Sequence, residues 1–128
     1  MHKIDFNKTN NTISIKIESS FDLQQAEQLH VEIERIIPEV KKGFTVLTDL
    51  TSLQKMDLES RGSITKSMDL FNEYGIAEII RVVPDMAKDL GFNIMSLFHY
   101  SRDVKMHTFG SLEEATKHIN LHKKRSKE

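Results

Sequence analysis

The sequence predicts an α/β domain built on a mixed sheet of about five strands: an N-terminal hairpin, then repeated βα units, with the helices mainly on one face. Three observations carry that prediction. Near the N-terminus, apolar residues alternate with polar ones at period two. Beyond it, stretches with apolar residues three and four apart take turns with short apolar runs. Pro38, Gly43, Gly75 and Pro84 fall where those runs end.

The elements follow in order. Ile4 and Phe6, then Ile13, Ile15 and Ile17, flank the polar run Asn7-Lys8-Thr9-Asn10-Asn11, which reads as a hairpin. Phe21 and Asp22, with Gln25 three residues after the Asp, form a staple and capping box for a first helix. Its stripe is Ala26, Leu29, Ile33, Ile36 and Ile37, closed by Pro38 and Gly43. Phe44 to Leu50 is a strand, and Asp57 opens a second helix with the stripe Ile64, Met68 and Phe71, stopped at Gly75. Ile79 to Val83 is a strand ended by Pro84. A turn and then a helix from about Gly91 account for Met86 to Tyr100. Val104 to Phe109 is the last strand. Ser111 to Glu114 is a capping box, and Leu112, Ala115 and Ile119 are the stripe of a final helix.

Sequentially adjacent parallel strands joined by right-handed crossovers put their helices on one side. Ile13, Ile15, Ile17, Phe44, Val46, Leu50, Ile80, Val82, Val104 and Met106 are therefore expected to face the helices. The opposite face would carry Lys16, Glu18, Asp49, Arg81, Lys105 and His107, mixed with Leu47, Ile79 and Val83. Parallel sheets are usually covered on both sides, so a half-polar face calls for a cover. A homodimer through Lys16, Asp49, Arg81 and His107 is expected, with Asp49 and Arg81 as an ion pair across adjacent strands.

Composition narrows the function. A chain of 128 residues can bury roughly two-thirds of its unfolded surface, enough for one domain without a disulfide or a metal. Residues 1–121 are expected to form it, and 122–128, with Lys123-Lys124-Arg125-Ser126-Lys127, a solvated basic tail. A net charge of −1 lacks the basic excess of a nucleic-acid binder. No apolar run approaches the roughly 20 residues of a membrane span, and Met1 to Asp5 lead into no export signal. A cytoplasmic protein without stable membrane association is expected. The absence of cysteine removes thiol catalysis, iron–sulfur clusters and thiolate zinc sites.

The stretch Gly43-Phe44-Thr45-Val46-Leu47-Thr48-Asp49-Leu50-Thr51-Ser52-Leu53, followed by Met56-Asp57, resembles the strand-and-loop pattern of anti-sigma-factor antagonists, which share the STAS fold. Arg81-Val82-Val83-Pro84-Asp85 and Leu90 to Tyr100 are closer to the SpoIIAA-like group of small stand-alone bacterial proteins. The likeness runs from about residue 12 to 121 and accords with the order of elements. It implies a regulatory protein-interaction module whose partner docks at Asp57, Leu58, Glu59 and Ser60. In the antagonists the second helix begins Asp-Ser-Ser-Gly or Asp-Ser-Thr-Gly, and its second hydroxyl residue is the phosphorylation switch. Here Leu58 and Glu59 stand at the two hydroxyl positions and Ser60 at the glycine. The usual switch has no acceptor.

Each candidate has a plainer reading beside it. Asp57 and Glu59 suit a helix N-terminus as cap and dipole partner without any docking role. Phe92, Met95, Phe98, His99 and Tyr100 read as core, or as the lining of a pocket for a small apolar ligand, which would make the chain a carrier. His118 and His122 are four apart but lack the Glu of a His-Glu-x-x-His motif, and read as incidental surface histidines. There is no glycine-rich phosphate loop or nucleophile elbow. No catalytic residue, cofactor or metal is expected.

Overall fold

The structure, a computed structural model, describes residues 1–83 and 104–126. Strands β1 (His2–Asn7), β2 (Thr12–Phe21), β3 (Thr45–Met56), β4 (Glu78–Val82) and β5 (Lys105–Phe109) form one sheet in sequence order. β1 and β2 are antiparallel and every later pairing is parallel, so the expected mixed sheet is present. Helices α1 (Leu23–Ile36), α2 (Arg61–Glu73) and α3 (Leu112–Ser126) complete the described chain. The helix expected from about Gly91 lies outside the described residues. α3 continues to Ser126, into the segment assigned to a tail.

The local signals act largely as chemistry dictates. Asn7 Oδ1 accepts the Thr9 N–H at 2.9 Å in the hairpin turn, and Asn11 takes a left-handed φ of 52°. Asp22 Oδ1 accepts the Gln25 N–H at 2.9 Å, capping α1. Gln25 does not return the bond; its Oε1 accepts from the N-terminal ammonium at 2.7 Å. Ser111 Oγ accepts the Glu114 N–H at 3.2 Å and caps α3.

α1 and α2 connect successive parallel strands, and both pack on one face, as right-handed crossovers require. There Ile13, Ile15, Ile17, Val46 and Leu50 meet Ala26, Leu29, Ile33 and Phe71. Phe44 and Phe71 cross edge to face at 6.1 Å. α3 lies on the other face, where Ala115 and Ile119 cover Leu47, Ile80 and Val82. Among the described residues no parallel strand follows α3, so no crossover there ties it to the first face.

This second layer corrects the expected facing of β4. Ile79 and Val83 join the α1–α2 core, while Ile80 and Val82 face α3. A strand buried on both sides reads Ile-Ile-Arg-Val-Val, and alternation cannot set its phase. Leu112, expected in the α3 stripe, is exposed at the start of that helix.

The strand starts are tied at one edge. Gly43 and Gly75 both take left-handed backbone, φ 89° and 85°, and the Gly43 N–H donates to the Gly75 carbonyl at 2.8 Å. The Thr45 N–H donates to Asn11 O, Ala77 to Phe44 O and Lys105 to Ala77 O, all within 3.1 Å, which sets β2 to β5 in register. A Cβ on Gly75 would stand 2.7 Å from Lys42 Cγ. Gly75→Ala is therefore expected to lower stability by about 1–2 kcal/mol in urea unfolding. Gly62→Ala, within α2 and with open space around it, should be neutral or stabilising by up to about 1 kcal/mol.

Candidate functional site

The end of β3 projects a short, well-anchored turn. The Asp57 N–H donates to Phe21 O at 3.0 Å, which holds the strand end against the end of β2. Leu58–Ser60 form one turn of 3-10 helix before α2 begins. Ser60 closes that turn twice on the Asp57 carbonyl, from its N–H at 3.1 Å and from its hydroxyl at 2.6 Å. Ser60 is fully buried as a result. The two residues between are pushed outward: Leu58 is 69 % exposed, and Glu59 is exposed beside it.

Asp57 is not the side-chain cap its position suggested. It makes no cap hydrogen bond, and its Oδ1 lies 3.8 Å from the exposed Lys55 Nζ. Its backbone carbonyl closes the turn instead. An exposed pair at that distance contributes little, roughly 0–1 kcal/mol. Glu59 does sit in the first turn, where a negative charge suits the helix dipole.

The four residues assigned to a subunit interface do not share one surface. Lys16 and Asp49 are register partners on β2 and β3 and point to the α3 side of the sheet. Lys3, Asp5, Ser14, Lys16 and Asp49 line an open groove that Leu112 and Thr116 of α3 border. Asp49 is buried at its floor, and one oxygen, Oδ1, accepts both the Thr51 N–H at 3.0 Å and the Thr51 hydroxyl at 2.7 Å. Arg81 is in register with Thr48, not with Asp49, and faces the other way. It is buried, with Nη2 3.5 Å from Thr108 Oγ1. The expected Asp49–Arg81 ion pair is therefore ruled out by register, because adjacent residues of a strand point to opposite faces.

His107 is on the α3 side but beside the helix rather than in the groove. Its Nε2 is 3.2 Å from Glu78 Oε2, and His118 Nε2 is 3.1 Å from the same oxygen. His118 is thus not an incidental surface residue. Its position four before His122 gave no hint of this, since its neighbours come from β4 and β5. Phe92, Met95, Phe98, His99 and Tyr100 lie outside the described residues. Between α1, α2 and the sheet is an apolar cavity of about 50 Å³, bordered by Leu29, Ile33, Leu50, Ile64 and Met68. Drug-sized ligands occupy about 300–1,000 Å³, so this void holds no such molecule. Among the described residues, no helix is long and apolar enough to cross a membrane.

No family profile and no curated protein sequence matches the chain. Solved structures do. The anti-sigma factor antagonist SpoIIAA in its unphosphorylated form aligns with a TM-score of 0.66 at 16% identity, covering 94% of this chain and 98% of its own. An uncharacterised DUF3478-family protein from Shewanella loihica with a SpoIIAA-like fold gives 0.67 at 13%, covering 92% and 93%. The phosphorylated form of the Bacillus cell-fate determinant SpoIIAA gives 0.62 at 20%, covering 93% and 99%. The chain has the SpoIIAA-like STAS fold over nearly its whole length.

Two substitutions separate the turn's anchor from its exposed tip. Ser60→Ala removes a buried hydroxyl that donates to Asp57 O and should cost about 1 kcal/mol in urea unfolding. Leu58→Glu, at the exposed tip, should change stability by less than about 0.5 kcal/mol.

Proposed function

We propose that the chain is a non-enzymatic regulatory module that docks on a protein partner through the turn after β3, with Leu58 as the apolar contact and Asp57 and Glu59 as its charged flank. The observation that carries this reading is the exposure of Leu58 on a turn whose backbone is bonded to Phe21 and to Ser60. A large apolar side chain held out on a rigid turn loses little conformational freedom on binding. The fold adds support, because anti-sigma factor antagonists are among the solved structures it resembles.

The same geometry favours binding without a phosphorylation switch. The position matching the antagonists' switch is Glu59, whose charge of about −1 is permanent and smaller than the −1.5 to −2 of a phosphate. Ser60 and Ser63, the nearest hydroxyls, are buried in the turn and in α2. A kinase would have to unfold the turn to reach Ser60. Control then falls to abundance of the protein or to a ligand.

Affinity capture from native extract with the wild-type chain and with Leu58→Glu tests the docking surface. A protein retained by the wild type and lost from the variant is the expected result; an identical set on both would refute the assignment. Phosphopeptide mapping of the native protein tests the switch. It should find Ser60 unmodified, and regulated phosphorylation there that abolishes binding would overturn the claim. Glu59→Ser offers the converse check, since it should create a substrate for an anti-sigma kinase if the docking surface is conserved in shape.

A further inference from the structure

At the opposite end of the sheet from the docking turn, three side chains from three elements converge. Glu78 opens β4, His107 lies on β5 diagonally across from it, and His118 is in α3 above both. Their ligand atoms all lie within 4.8 Å of one another. Glu78 Oε2 is 3.2 Å from His107 Nε2 and 3.1 Å from His118 Nε2. The two imidazole centroids are 4.5 Å apart and tilted by 50°, so the rings do not stack flat, and each presents Nε2 to the shared carboxylate.

We propose that Glu78, His107 and His118 form a binding site for a divalent transition-metal ion of the zinc class. The first argument is metric. Zinc binds imidazole nitrogen and carboxylate oxygen at about 2.0–2.1 Å, and tetrahedral ligands at that radius stand about 3.3 Å apart. Two edges of the present triangle already have nearly that length. The second argument is chemical. Two imidazoles and one carboxylate are a donor set used by three-ligand zinc sites, in which water or another molecule takes the fourth position. It suits zinc, cobalt and nickel, and disfavours calcium and magnesium, which prefer an all-oxygen shell.

Burial is graded in the direction a fourth ligand needs. The side chains of Glu78 and His118 are 12 % and 15 % exposed, whereas His107 is 37 % exposed and marks the open side. Phe109 forms an apolar wall, with its ring 5.3 Å from that of His118 and 6.4 Å from that of His107. Such a wall limits water and strengthens the charge interaction at the ion. Lys117 does not compete for Glu78, because its Nζ pairs with Glu113 at 3.5 Å on the exposed side of α3. Binding would cross-link β4, β5 and α3, so the ion should stabilise the second core layer. The proposal does not depend on the docking turn.

The test is titration of the full chain, freed of metal with chelator, with ZnCl2 by calorimetry and with CoCl2 by visible absorption. One zinc per chain is expected, with micromolar or tighter affinity, a raised melting temperature, and a cobalt spectrum of tetrahedral type. Affinity should fall by about tenfold or more in Glu78→Gln and in His118→Ala. His107→Ala keeps the assignment testable if those buried variants unfold, because His107 is the most exposed of the three. In the wild type, zinc should shift the ring resonances of His107 and His118 and leave those of His2 and His30 in place. Absence of stoichiometric binding would overturn the proposal and leave a carboxylate that accepts hydrogen bonds from two histidines. So would undiminished affinity in His107→Ala, or shifts confined to the other histidines.

Discussion

β4 pairs in parallel on both edges and is buried on both faces, and this double burial governs how the rest of the chain is arranged. Its backbone hydrogen bonds are satisfied by β3 and β5, and its side chains need an apolar layer above and another below. α1 and α2 supply one layer because each returns the chain to start a neighbouring parallel strand with the same handedness. α3 supplies the other. Because it follows β5, its apolar residues Ala115 and Ile119 pack on Leu47, Ile80 and Val82. Among the described residues, Lys3, Asp5 and Lys16 line a groove on that side of β1 and β2, with buried Asp49 on its floor. Asp49 keeps its place on the groove floor through two hydrogen bonds from Thr51 to one oxygen, a local solution that asks nothing of a neighbouring strand.

The two chemically distinctive regions fall at opposite ends of the parallel strands. At the C-terminal end of β3, the chain leaves the sheet through a turn that buries Ser60 and exposes Leu58. At the N-terminal end of β4, Glu78 is the first strand residue and is joined by side chains from β5 and α3. Open parallel sheets tend to place ligands beyond the C-terminal strand ends, where the loops lead into helices. The turn proposed for docking follows that tendency. The histidine–carboxylate triangle does not, since it depends on α3 folding back across the sheet.

The turn itself was partly legible. The stretch from Gly43 to Asp57 marked a strand running into a helix start, and the absence of hydroxyls at positions 58 and 59 was visible directly. Its geometry was not. Capping by Asp57 is a sound expectation wherever an acid precedes a helix, but Ser60 took the Asp57 carbonyl with both its donors and left the carboxylate outside. A competition between two local hydrogen-bonding schemes is settled by the turn of chain that packing permits. Likewise, the spacing of His118 and His122 drew attention to a pair along one helix, while the partners of His118 were 40 and 11 positions away in sequence.

By itself, the sequence determined the fold class, the order of the described strands and helices, the caps at Asp22 and Ser111 and the core stripes of α1 and α2. These rest on interactions within a few residues, or on periodicities that one element carries alone. Tertiary structure alone decided which face β4 turns to which helix, that Asp49 and Arg81 point apart, and that Glu78, His107 and His118 meet. The phase of a strand buried on both sides leaves no mark in its pattern of apolar residues. The register between strands and the landing place of a terminal helix are set by packing among residues far apart in the chain.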